Sequence, residues 1–155
     1  MPTIAVMNQV VAELTAEFTE LLADKDIYLS PIVIEIPARR QFVIQVCDGG
    51  STYSDFEGGV KREHFKLIVG ILRGFKVDYS GRYQQYLSHE EKSMFVIKER
   101  ISDLLEGSYL EVLEVPLLVR PLRITDESSI YRGKEKGMLI KKLTFLGGLN
   151  ETRTS

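Results

Sequence analysis

Apolar residues recur at helical spacing over Ile4–Ala23. Val6, Val10, Leu14, Phe18, Leu21 and Leu22 form one stripe, and Glu13, Glu17 and Glu20 fall largely off it. The pattern predicts a first helix, N-capped by Thr3 and ended by Asp24-Lys25-Asp26. Ile27–Ile36 reads as a strand interrupted by Ser30-Pro31, since proline cannot donate to a central ladder. Pro37–Arg40 turns the chain into Phe42–Cys47, and this pair is predicted to be an antiparallel hairpin. Phe42, Ile44 and Val46 share one face of that strand. Phe65, Leu67, Val69 and Ile71 share one face of a third strand, His64–Leu72. Between these two strands lies Asp48–Gly59, which is too long and too glycine-rich for a tight turn. It is read as a long loop ordered by a partner.

A second long loop is predicted over residues 73–87, where Tyr79, Arg82, Tyr83 and Tyr86 are of the types favoured at interface hot spots. The clearest start signal follows it. Ser88-His89-Glu90-Glu91 is a capping box, and Met94, Ile97, Ile101, Leu104 and Leu105 carry the stripe of a second helix that ends near Gly107. Tyr109–Val115 and Leu117–Thr125 read as strands, with Pro121 arguing for an edge or a bulge. Asp126–Gly137 is polar and reads as a loop. Met138–Leu146 is the last strand, and Leu149–Ser155 is expected to be a flexible tail. Strands that follow one another without helical crossovers favour antiparallel pairing. The expected architecture is α+β: a two-layer domain over residues 1–148, with a mostly antiparallel sheet covered on one face by two helices.

Composition narrows the chemistry. The 155 residues suit one domain, and the net charge of -2 supplies no field that would draw the chain onto nucleic acid. Lys134, Lys136, Lys141 and Lys142 are read as a solvated face. Cys47 is the one cysteine, so no internal disulfide can form, which fits a reducing compartment. It is read as a small semi-buried residue rather than a nucleophile. No apolar run has the length of a membrane span, and no signal-peptide pattern opens the chain. His64 and His89 have no second ligand at metal-binding spacing, and neither a nucleophile elbow nor a phosphate-binding glycine loop is present. No catalytic residue, cofactor or metal site is assigned.

The order of elements resembles the tail-terminator (tail-completion, head-to-tail joining) proteins of long-tailed bacteriophages. The resemblance is carried by the first helix leading into Ile32–Ile36, the Phe42 and His64 strands flanking an extended segment, the capped helix Ser88–Glu106, and the final strands ending in Lys141-Lys142-Leu143-Thr144-Phe145. It implies a homo-oligomeric ring, commonly a hexamer, that closes the tail tube and joins it to the neck. Its partners would be its own copies, the tail tube protein, the neck or connector proteins and, as a further candidate, the sheath. DNA would only pass through the lumen, and no membrane is involved. Such a protein would be made in the host cytoplasm and reside in the virion, without an active site. Asp48, Tyr53, Asp55, Phe56, Glu57, Tyr79, Arg82, Tyr83 and Tyr86 are the candidate interface residues, with Tyr53 and Phe56 as anchors. Asp48, Asp55 and Glu57 would line the channel, where like charge repels phosphate. Two other classes stay open: a small metal-dependent nuclease or nucleotide-processing enzyme using Glu35 or Glu57, and a dimeric protein-binding adaptor.

Overall fold

The computed structural model describes residues 4–21, 26–32, 43–56, 60–76, 94–133 and 136–152. Helix α1 spans Ile4–Glu17. It is followed by β1 (Ile27–Ser30), β2 (Val43–Phe56), β3 (Val60–Lys76), α2 (Met94–Leu105), β4 (Glu111–Val112), β5 (Val115–Pro116), β6 (Arg120–Gly133) and β7 (Lys136–Thr152). A five-stranded sheet runs in the order β1-β2-β3-β7-β6, and β4 and β5 form a separate small ladder. The fold is α+β, with a mostly antiparallel sheet.

The predicted stripes make the core. Val6, Val10, Leu14 and Phe18 from the first helical segment and Met94, Ile97, Ile101 and Leu105 from α2 meet Ile44, Val46, Phe65, Leu67, Val69, Leu143 and Phe145 of the sheet. Burying each large side chain of this set contributes about 1.5–3 kcal/mol before entropy is charged. The first helix is shorter than expected: it closes at Glu17, and Phe18 and Leu21 remain in the core from the turn that follows. Gly107 ends the α2 region as anticipated, with φ 78°. The capping box Ser88–Glu91 lies outside the described residues.

Four expectations need correction. First, β1 pairs with β2 in parallel, Ile27 opposite Ile44 and Ser30 opposite Cys47, not as an antiparallel hairpin. Residues 31–42 supply the long connection that a parallel pair requires.

Second, Asp48–Phe56 is strand, not loop. β2 and β3 stay paired from Val43↔Leu72 to Phe56↔Val60. The Asp-Gly-Gly run that reads as a turn is a bulge: the register shifts between Asp48 and Ser51, Gly50 sits at φ 94°, and its N–H donates to Asp48 Oδ1 at 2.9 Å. Glycine alone holds that φ without strain. Past the bulge, Thr52 and Tyr53 favour strand. Arg73–Lys76, likewise expected in a loop, is the end of β3.

Third, Asp126–Gly133 continues β6, and Leu149–Thr152 continues β7 rather than fraying, with Leu149 buried. Fourth, Lys141 is not part of a solvated face. It is buried, with Nζ 2.9 Å from Glu127 and 3.1 Å from Ser129 Oγ. Lys98 of α2 reaches the same carboxylate at 3.6 Å, tying the helix to the sheet edge.

β3 and β7 are each 17 residues long, roughly 55 Å at strand rise, well beyond an ordinary strand. They are paired from Val60↔Thr152 to Lys76↔Lys136. The apolar core occupies only their middle. The β2–β3 and β6–β7 hairpins therefore extend past the core at opposite ends of the sheet. No helix among the described residues is long and apolar enough to cross a membrane.

Candidate interaction surfaces

The β2–β3 arm carries part of the predicted interface set. Cross-strand partners share a face, so Ser51, Tyr53 and Asp55 sit with Phe65, Glu63 and Lys61 on the helix side. Thr52 and Ser54 sit with His64 and Arg62 on the other. Tyr53 is 47% exposed beyond the core, with Lys61 Nζ 4.9 Å from its ring centroid. Asp55 is exposed and opposite Lys61. Asp48 is half-buried, and its carboxylate is engaged by the bulge it helps to form. Ser51 Oγ donates to the buried Glu63 at 2.7 Å, Ser54 Oγ and His64 Nε2 are 3.1 Å apart, and Arg62 Nε donates to Asn150 at 3.3 Å. These contacts stiffen an arm with no large apolar core of its own. Its charge is mixed, since Lys61 and Arg62 accompany Asp55 and Glu63. Phe56 ends β2. Glu35, Glu57, Tyr79, Arg82, Tyr83 and Tyr86 lie outside the described residues.

A second pair of features was hidden in the sequence. The β4–β5 ladder is a two-residue hairpin with Val112 opposite Val115. Its turn residues, Leu113 (φ 50°) and Glu114 (φ 67°), both occupy left-handed backbone that usually belongs to glycine or asparagine. Each such residue costs roughly 1–2 kcal/mol. Leu113 is nevertheless 93% exposed, beside exposed Val112 and Val115. The base is firm: Leu110 and Leu118 are buried, and Leu117 and Leu118 N–H groups donate to Leu110 and Tyr109 carbonyls at 3.1 and 3.2 Å. Reading 109–115 as one strand concealed this hairpin, because no glycine marks its turn.

Nearby, on the sheet face away from the helices, β3, β6 and β7 enclose a groove of about 410 Å³. Pro121, Leu146 and Gly147 form its apolar part, Arg120 and Arg123 its cationic rim, and His64 lines it beside them. Arg120 lies opposite Gly148, and Arg123 opposite Leu146. Gly147 contributes backbone to the groove, while its missing Cβ faces the other side of the sheet, where it would come within 2.6 Å of the buried Phe65 ring. Residues from three strands meet here only through register, so spacing along the chain could not disclose the groove.

Among the described residues, no group of three or more His, Cys, Asp or Glu is placed to hold a metal ion. Cys47 is buried, and that burial pushes its thiol up to about 11, against a smaller opposing effect of Lys142.

No family model matches the chain, and no curated protein matches it in sequence. Among solved structures, the fold is shared with a chain from the virion of a native gene transfer agent (GTA) particle. The TM-score is 0.55 at 15% identity, covering 97% of this chain and 100% of the other.

Proposed function

We propose that this protein is a structural component of a phage-like virion: a ring-forming subunit that terminates the tail tube and joins it to the neck. The observation that carries the reading is the shared fold, over nearly the whole of both chains, with a subunit of a gene transfer agent virion. The architecture suits the role. A stiff sheet is packed on two helices, and its long central strands project hairpin arms beyond the core, where neighbouring subunits can grip them. Such a part works by geometry and needs no catalytic group.

In this reading the β2–β3 arm reaches the adjacent subunit or the tube ring. Tyr53 is its exposed anchor, and Phe56 and Glu57 are further proposed contacts. An aromatic side chain held beyond the core by a rigid strand loses little conformational entropy when a partner covers it. Tyr79, Arg82, Tyr83 and Tyr86 are the second proposed contact set. The ring would be a hexamer, with the tube, the neck and the sheath as candidate neighbours and DNA only passing through.

The test is assembly. Light scattering after size exclusion and negative-stain microscopy, with and without a tail tube protein, should show closed rings that cap tube ends. Tyr53→Ala should weaken capping while leaving the melting temperature within a few degrees. A chain that stays monomeric at every concentration and ignores tube protein would refute the proposal.

A further inference from the structure

We infer that the β4–β5 hairpin of one copy seats in the His64–Arg120–Arg123 groove of the next, making a head-to-tail contact between identical chains. The two surfaces match in chemistry. The hairpin presents Leu113 almost fully exposed, with Val112 and Val115 behind it and Glu111 and Glu114 beside it. The groove offers Leu146 and Pro121 as an apolar seat, ringed by Arg120, Arg123 and His64. Among the described residues, neither arginine and neither of the two glutamates makes a side-chain ion pair or hydrogen bond within its own chain. Two acids and two arginines are thus left over on one molecule, each pair bracketing an apolar centre.

The hairpin does not fill its own chain's groove, since Leu113 stands in solvent. A protein that spends backbone strain to hold a leucine there gains nothing unless something covers it. A second copy is the occupant because it necessarily brings the complementary charge. Patches that differ on the two sides of a contact make a heterologous interface, which closes into a ring or runs on as a filament. The pairing itself stands on these two surfaces. Its closure into a ring rests on the virion reading above.

The experiment uses the full chain. Leu113→Asp breaks the hairpin side; Arg120→Glu with Arg123→Glu breaks the groove side. All three positions are exposed or on the groove rim, so melting curves should match the wild type. Each variant alone should sediment as a monomer, with the dissociation constant raised about thirtyfold or more, as for loss of a hot spot. Mixed one to one, they should form a heterodimer and nothing larger, because one intact hairpin then meets one intact groove. Adding Glu111→Lys and Glu114→Lys to the groove variant should restore assembly.

Variants that assemble as the wild type does would overturn the inference and leave the ring reading standing. A wild-type particle that is only a dimer, dissolved by both variants, would keep the contact and remove the ring. A mixture that stays monomeric, or a wild-type chain that never associates, would overturn the contact.

Discussion

The Arg100 guanidinium lies 4.1 Å from the centroid of the Phe18 ring and grips the end of α1 from α2. It donates to Glu20 Oε1 at 2.7 Å, to Glu17 Oε1 at 3.2 Å and to the Glu17 carbonyl at 2.8 Å. One side chain thus caps the carboxyl end of the first helix, where a cation is favoured, and stacks on a core aromatic. Arg100→Ala should cost about 1–2 kcal/mol, read as a lower urea midpoint with an unchanged slope. Arg100→Lys should recover little, because an ammonium cannot stack and fork at once.

The Glu127–Lys141 contact sets an acid limit. The hydrogen bond from Lys141 holds the Glu127 carboxyl below its ordinary value of 4.5, with Lys98 adding to the effect. A depressed acid stabilises the fold fully above its unfolded value, and that stability is lost as pH falls through the folded one. Glu127→Gln should therefore flatten the fall of melting temperature between about pH 5 and pH 3. At neutral pH it should cost about 1 kcal/mol, since the carboxylate is 38% exposed and partly screened.

Glu13 carries the opposite sign. Burial raises its carboxyl above the usual range, against a smaller lowering by Gln9, and its Oε2 has no hydrogen-bond partner. A raised acid weakens the fold above its folded value and ceases to do so below its unfolded one. Glu13→Gln should raise the melting temperature at pH 7, and the gain should shrink as the pH is lowered through the carboxylate range. An equal gain at all pH values would mean that charge is not the cause.

The helical stripes and the central strands were legible because each buries one face, and burial imposes a period. Val6 to Phe18 and Met94 to Leu105 needed nothing more. The arms were not legible. Their strands are ordered by ladders and side-chain contacts such as Ser51–Glu63, so Asp48–Phe56 and Asp126–Gly133 looked like polar loops. The bulge at Gly49-Gly50 hides in composition, because a turn and a bulge use the same residues. Parallel pairing of β1 was invisible for a related reason: the four residues Ile27–Ser30 read as a strand whichever direction the neighbour runs.

Cys47 should be inert in the native state. It is 1% exposed, and burial keeps it protonated at neutral pH. Since the thiolate is the nucleophile, a disulfide reagent at pH 8 should titrate the thiol only after denaturant is added. Rapid reaction of the folded chain would show that the β1–β2 pair opens locally.

Gly147 and Gly148 should respond differently to alanine. At Gly147 a Cβ would lie 2.6 Å from the tip of the Phe65 ring, which is fully buried among core residues and cannot retreat. Overpacking of this kind costs about 1–3 kcal/mol. At Gly148 the nearest atoms belong to the stem of Arg120, at 3.2 Å or more, and that side chain is exposed and can give way. Gly147→Ala should therefore lower the melting temperature well below that of Gly148→Ala. Phe65→Leu, which withdraws the ring tip, should be less harmful in the Gly147→Ala background than in the wild type. Additive losses from the two changes would show that the ring and the glycine do not compete for the same space.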